Sequence, residues 1–138
     1  MTTRRILSAA LLAVLLLVGC GTSASSSPAA SATTAVTPAE GKQLIDSMGA
    51  SLTVIDVRTP AEYAAGHLAN ALNLDLEGGM FSKGIATLTK GAAYMVYCHS
   101  GRRSAIAAST MAAAGFTKVY DLGGVAAWQA AGLPLVTG

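Results

Sequence analysis

Tyr97-Cys98-His99-Ser100-Gly101-Arg102-Arg103-Ser104 follows an apolar run at 92–96 and opens an Ala-rich stretch with helical spacing. One thiol is thereby placed where a strand ends and a helix begins. At such a junction the unpaired backbone N–H groups and the positive end of the helix dipole converge on the sulfur, and Arg102 and Arg103 add full charge. These surroundings favour a thiolate, the nucleophilic form of cysteine. Cys98 is therefore the candidate nucleophile. The competing reading, an inert small core residue, fits the context less well, because the chain's other cysteine, Cys20, falls in a targeting segment.

Outward from this junction the punctuation is regular. Ser104, Ala107, Ala108, Met111 and Ala112 form a small-residue stripe at helical spacing that ends at Gly115. Residues 118–122 predict a last strand. A last helix over 124–131 carries Trp128 and is stopped by Gly132 and Pro134. On the N-terminal side, 52–57 is a nearly continuous, β-branched apolar run, as expected of a strand covered on both faces. Thr37-Pro38-Ala39-Glu40 and Thr59-Pro60-Ala61-Glu62 are two capping boxes with Pro at the first helical position. The first starts a helix whose Gly41, Leu44, Ile45 and Met48 share a face before Gly49; the second starts a short helix reaching Gly66. Residues 71–74 predict a short strand, and Val36 a first one. Strands alternating with helices imply an α/β fold with a mainly parallel sheet flanked by helices on both faces. Ligands bind at the carboxyl ends of strands in such sheets, and Cys98 is at one.

The first 35 residues read differently. Arg4 and Arg5 precede an apolar run at 6–18 broken by Ser8, and Leu17-Val18-Gly19-Cys20 follows. This has the layout of a secretory signal over 1–19, too short for a membrane span of roughly 20 apolar residues. The tetrapeptide resembles the lipobox of bacterial lipoproteins, which implies that Cys20 is lipidated and anchors the exported domain at the outer face of the cell membrane or facing the periplasm; an uncleaved anchor helix is the competing reading. The residues after Arg4-Arg5 fit the twin-arginine pattern poorly, so ordinary secretion is expected. Residues 20–35 are Ser, Thr, Ala, Gly and Pro with little else. They bury too little surface to offset the entropy of ordering and read as a flexible tether. With Arg4 and Arg5 removed, seven basic residues face seven acidic ones. No basic stripe with interleaved aromatics points to nucleic acid.

Four segments, in order, give 36–138 a resemblance to a single rhodanese-like domain: Val54-Ile55-Asp56-Val57-Arg58 with Glu62-Tyr63; Gly66-His67-Leu68 with Ala71 and Asn73; Val96-Tyr97-Cys98 through Arg103-Ser104; and Asp121-Leu122-Gly123-Gly124 with Trp128. The resemblance implies a five-stranded sheet and an active loop over 98–103 whose backbone N–H groups surround the sulfur. It also implies sulfurtransferase chemistry, with a Cys98 thiolate taking the outer sulfur of a donor such as thiosulfate, sulfite leaving, and a thiol or cyanide acceptor discharging the persulfide. No cofactor is expected. The two histidines, His67 and His99, have no clustered partners that would suggest a metal. A sulfane-sulfur carrier or sensing module without turnover is the alternative. A cysteine phosphatase is a remote third, because phosphatases of this fold separate cysteine from arginine by five residues. Here four intervene between Cys98 and Arg103, and Ser104 takes the position that arginine would need.

Within the loop, Arg103 is expected to enter the pocket or to fix the loop against a carboxylate, and Arg102 to meet an anionic donor or to face water. Ser100 and Gly101 supply backbone. His99 stands where many thiosulfate-using relatives carry arginine, as a charge at the pocket mouth or a solvated side chain. Arg58 is expected to pair with Glu62, and Asp56 to orient the loop. His67 is expected to satisfy backbone groups, Gly123 and Gly124 to allow close approach, Trp128 to pack in the core, and the loop 77–84 to wall the pocket. An unpaired thiol outside the cytoplasm is a liability unless it is used.

Overall fold

The computed structural model describes residues 32–138. The signal segment, Cys20 and the tether up to residue 31 lie outside the described residues. Five strands make one parallel sheet in the order β1-β5-β4-β2-β3: β1 Thr33–Ala35, β2 Leu52–Asp56, β3 Leu72–Asn73, β4 Ala93–Cys98 and β5 Lys118–Gly124. The helices are α1 Pro38–Met48, α2 Pro60–Ala65, α3 Met80–Ile85, α4 Arg102–Ala113 and α5 Val125–Ala130.

β4 organises the molecule, and all six of its residues are buried. Side chains alternate across a strand, so Tyr94, Val96 and Cys98 enter one core with Phe81, Ile85, Ala107, Ala108 and Met111 from α3 and α4. Ala93, Met95 and Tyr97 enter the opposite core with Leu122, Val125, Trp128 and, at its margin, Leu44 and Ile45 from α1. Helices thus cover both faces. Each large apolar side chain buried here contributes about 1.5–3 kcal/mol.

Both capping boxes form. Thr37 and Thr59 accept from the backbone of Glu40 and Glu62, and each glutamate reaches back to its cap. Gly41 lies against β5, where an added Cβ would fall 2.6 Å from Leu122 Cδ1.

Two expectations change. The strand at the edge begins at Thr33, inside the stretch read as tether, and pairs in register with β5 through Thr33↔Val119 and Ala35↔Asp121. Its side chains are largely exposed, so no apolar pattern announces it. Main-chain bonds such as Val119 N–H to Ala32 O and Val36 N–H to Asp121 O, both 2.9 Å, hold it instead. The stretch 77–84 is not simply loop. Asp75 accepts from the N–H groups of Glu77 and Gly78, Gly79 turns the chain in the left-handed region at φ 75°, and α3 follows, burying Phe81 and Ile85.

Candidate active site

The loop 98–103 leaves the end of β4 and enters α4 through Gly101, whose φ of 102° is accessible to glycine at little cost. That turn aims the Gly101 N–H at Cys98 Sγ, 3.0 Å away. Gly101 O in turn accepts from Ser104 Oγ at 3.0 Å and from Ala105 N–H at 3.1 Å, tying the loop to the first turn of α4. Cys98, the free cysteine among the described residues, is 1% exposed. The anion-stabilising end of a twelve-residue helix lies directly behind it.

The floor beneath the loop is set by a bulge. Val96 pairs with Asp121, but Tyr97 pairs with Gly123 and Cys98 with Gly124, so Leu122 is the extra residue and turns into the core. Gly124 is needed for space: a Cβ there would stand 2.6 Å from His99 O and 2.9 Å from Ser100 Cα. Gly123 is needed for conformation, at φ 78°, with open space where a Cβ would stand. An added side chain would therefore strike the loop backbone at Gly124, whereas Gly123 brings its own backbone up to Gly101.

The charged residues pair otherwise than expected. Arg58 does not meet Glu62. Its guanidinium takes Asp56, with Nη2–Oδ2 at 2.6 Å and Nε–Oδ1 at 3.0 Å, and donates again to Gly66 O at 2.6 Å. Asp56 and Arg58, two residues apart at a strand end, are both buried, whereas Glu62, on α2, is turned to another partner. Asp56 also accepts from Tyr97 Oη at 2.7 Å, while Tyr97 Oη accepts from Leu68 N–H at 3.0 Å. Burial and Asp56 push the Tyr97 phenol well above its ordinary range. Burial pulls Arg58 down, but Asp56 more than offsets this and Arg58 ends above its usual value. Asp56 thus reaches the residue before the nucleophile and holds the framework; it makes no bond to the loop it was expected to orient.

Glu62 is taken by Arg103 across 41 positions of sequence, in a two-pronged pair at 2.9 and 2.8 Å. This bond, opposed by burial and helped by the Thr59 cap, holds the Glu62 carboxyl at about 2. Arg103 therefore fixes the loop against a carboxylate, and its charge is raised in stability chiefly by Glu62, with Glu77 and Cys98 adding to it. Arg102 is exposed and meets Glu77 at 3.3 Å, and Glu77 also lies 3.5 Å from Arg103 Nη1. Sequence reasoning missed Glu77 as a charge partner because only folding brings it to the loop. His67 stacks on Tyr63 at 3.7 Å, with Nδ1 2.9 Å from Tyr63 O, a structural role.

His99 is exposed and borders a cleft of about 280 Å³ lined also by Arg58, Glu62, Gly66, Val125 and Gln129. Cys98 does not line this cleft; the loop joins the two. A small anion or thiol fits such a volume.

Comparison with known proteins agrees with this fold. The profile of the Rhodanese-like domain matches residues 37–131. A sulfurtransferase of Allochromatium vinosum is 36% identical over 84 residues, 60% of this chain and 77% of that protein. The probable adenylyltransferase/sulfurtransferase MoeZ of Mycobacterium tuberculosis is 34% identical over 110 residues, 79% of this chain but 28% of its own length. A rhodanese-related protein from Thermoplasma volcanium superposes with a TM-score of 0.65 at 29% identity, over 75% of this chain and 98% of that one. With the profile spanning both capping boxes, the Cys98 loop and Trp128, the chain belongs to the rhodanese-like family, among whose members are sulfurtransferases.

Proposed function

We propose that the protein is a rhodanese-type sulfurtransferase that carries sulfane sulfur on Cys98. The observation that carries this reading is the Gly101 N–H directed at Cys98 Sγ at the N-terminus of α4, inside a loop of six residues. The thiolate attacks the outer sulfur of a donor such as thiosulfate, a new S–S bond forms at Sγ, and the donor's S–S bond breaks as sulfite leaves with the electron pair. The persulfide left behind is anionic at its terminal sulfur, where the loop N–H and the helix dipole stabilise it. Attack on that sulfur by an acceptor thiolate or cyanide returns the Cys98 thiolate and releases a persulfide or thiocyanate.

Mass spectrometry after incubation with thiosulfate is expected to show a gain of one sulfur atom in the wild type and none in Cys98→Ser. Repeated sulfite release with cyanide present marks a catalyst, whereas release that stops after one equivalent marks a carrier. Absence of the adduct with thiosulfate, thiosulfonate and polysulfide alike overturns sulfur transfer.

The domain is proposed to work outside the cytoplasm, anchored by lipid on Cys20, on the strength of the signal-like segment 1–19 and its lipobox-like end. Cys20→Ala is expected to move the protein out of the membrane fraction. Unchanged fractionation overturns the anchor.

A further inference from the structure

We propose that Glu77 is a specificity-determining residue that occupies the anion seat between Arg102 and Arg103 and biases the loop against dianionic sulfur donors in favour of monoanionic ones. This rests on the sulfur-transfer reading of Cys98.

Two guanidinium groups stand at the start of α4, four and five residues after the nucleophile, and both face carboxylates; that of Arg103 also feels the charge of Cys98. Arg103 is committed to Glu62 by two short bonds, and Glu62 also caps α2, so that pair is part of the fold. Glu77 has no such second duty in its side chain. It is 54% exposed and stands at 3.3 Å from Arg102 and 3.5 Å from Arg103, longer than the Glu62 bonds. Its backbone position, by contrast, is fixed. Asp75 accepts the N–H groups of Glu77 and Gly78 at 3.0 Å each, and a Cβ on Gly78 would lie 2.5 Å from Asp75 Oδ2. A loosely paired carboxylate is thus presented from a rigid turn to the two cations at the loop.

Arg102, Arg103, Glu62 and Glu77 together sum to zero charge. An incoming anion gains the arginines only by displacing Glu77 or by sharing them with it, and the electrostatic cost scales with the donor's charge. Thiosulfate carries two negative charges and an alkyl thiosulfonate one. Both undergo the same step: Cys98 thiolate attacks the terminal sulfur, the donor's S–S bond breaks, and sulfite or alkylsulfinate departs with the pair.

The test compares kcat/KM for thiosulfate and methanethiosulfonate in the wild type and Glu77→Gln, with sulfite or sulfinate release as the readout. The thiosulfate-to-thiosulfonate ratio is expected to rise roughly two- to fivefold in Glu77→Gln, the range an exposed ion pair supplies. In 1 M salt, where the screening length is about 3 Å, the gap between the two proteins is expected to close. A purely structural role for Glu77 would alter both donors alike. A ratio that does not move while both donors still load Cys98 overturns the role of Glu77 and leaves sulfur transfer standing; failure of every donor to load Cys98 in either protein removes both.

Discussion

Arg58 and Arg103 each hold a carboxylate with two prongs, yet they do different work. Arg58 and Asp56 are 5% and 0% exposed and are joined to Tyr97, Gly66 and the β2 end. Arg103 and Glu62 are 13% and 31% exposed and join the Cys98 loop to α2. The first pair sits under the sheet end and locks the scaffold; the second sits at its rim and locks the loop. The same chemistry becomes framework or site according to how much water it keeps.

This contrast is most easily broken at Asp56. Asp56→Ala leaves the Arg58 guanidinium and the Tyr97 hydroxyl without their buried acceptor, and loss of one partner of a buried pair costs about 3–5 kcal/mol. Denaturant unfolding is expected to show that loss. A change under about 1 kcal/mol would place Arg58 with the surface pairs.

Gly124→Ala strikes the loop side. The new Cβ meets His99 O and Ser100 Cα, both backbone neighbours that yield only if the loop shifts. Overpacking of this kind costs about 1–3 kcal/mol, and the displaced loop is expected to slow sulfur loading of Cys98 more than it lowers the melting temperature. Loading at the wild-type rate would show that the loop does not depend on this floor.

Glu62→Gln gives the smallest effect and sharpens the comparison through pH. Glutamine still serves the α2 capping box, so the change isolates the Arg103 bond. Because the folded-state value of Glu62 is depressed from 4.5 to about 2, its contribution is complete above about 4.5 and is lost as pH falls toward 2. Wild-type stability is therefore expected to fall more steeply than that of Glu62→Gln between those values, with a difference near neutrality of about 1 kcal/mol for so exposed a pair. Parallel pH profiles would deny Glu62 its role.

Much of this was legible because it is local. Each capping box lies within four residues, and the alternation of β4 or the small-residue stripe of α4 is written in consecutive positions, so element type and the strand-loop-helix setting of Cys98 could be read directly. The pairing of Arg58 could not. A cluster of Asp56, Arg58 and Glu62 in one short stretch leaves two acids for one base, and only the burial of Asp56 at the end of β2 decides between them. Strand β1 was hidden because Thr and Ala at an exposed edge carry no apolar signal, while their main-chain groups pair as well as any others.

The sequence by itself determined the alternating α/β order, the helix starts and a cysteine delivered to the mouth of a parallel sheet, since propensity, capping and periodicity act between near neighbours. Tertiary structure alone decided that Arg103 reaches Glu62 across 41 positions, that Glu77 stands beside both loop arginines and that Gly124 makes room for His99 and Ser100. Charges and backbone surfaces distant in the chain acquire partners only when the sheet brings its strand ends together, and the distances set there determine which ion pairs form.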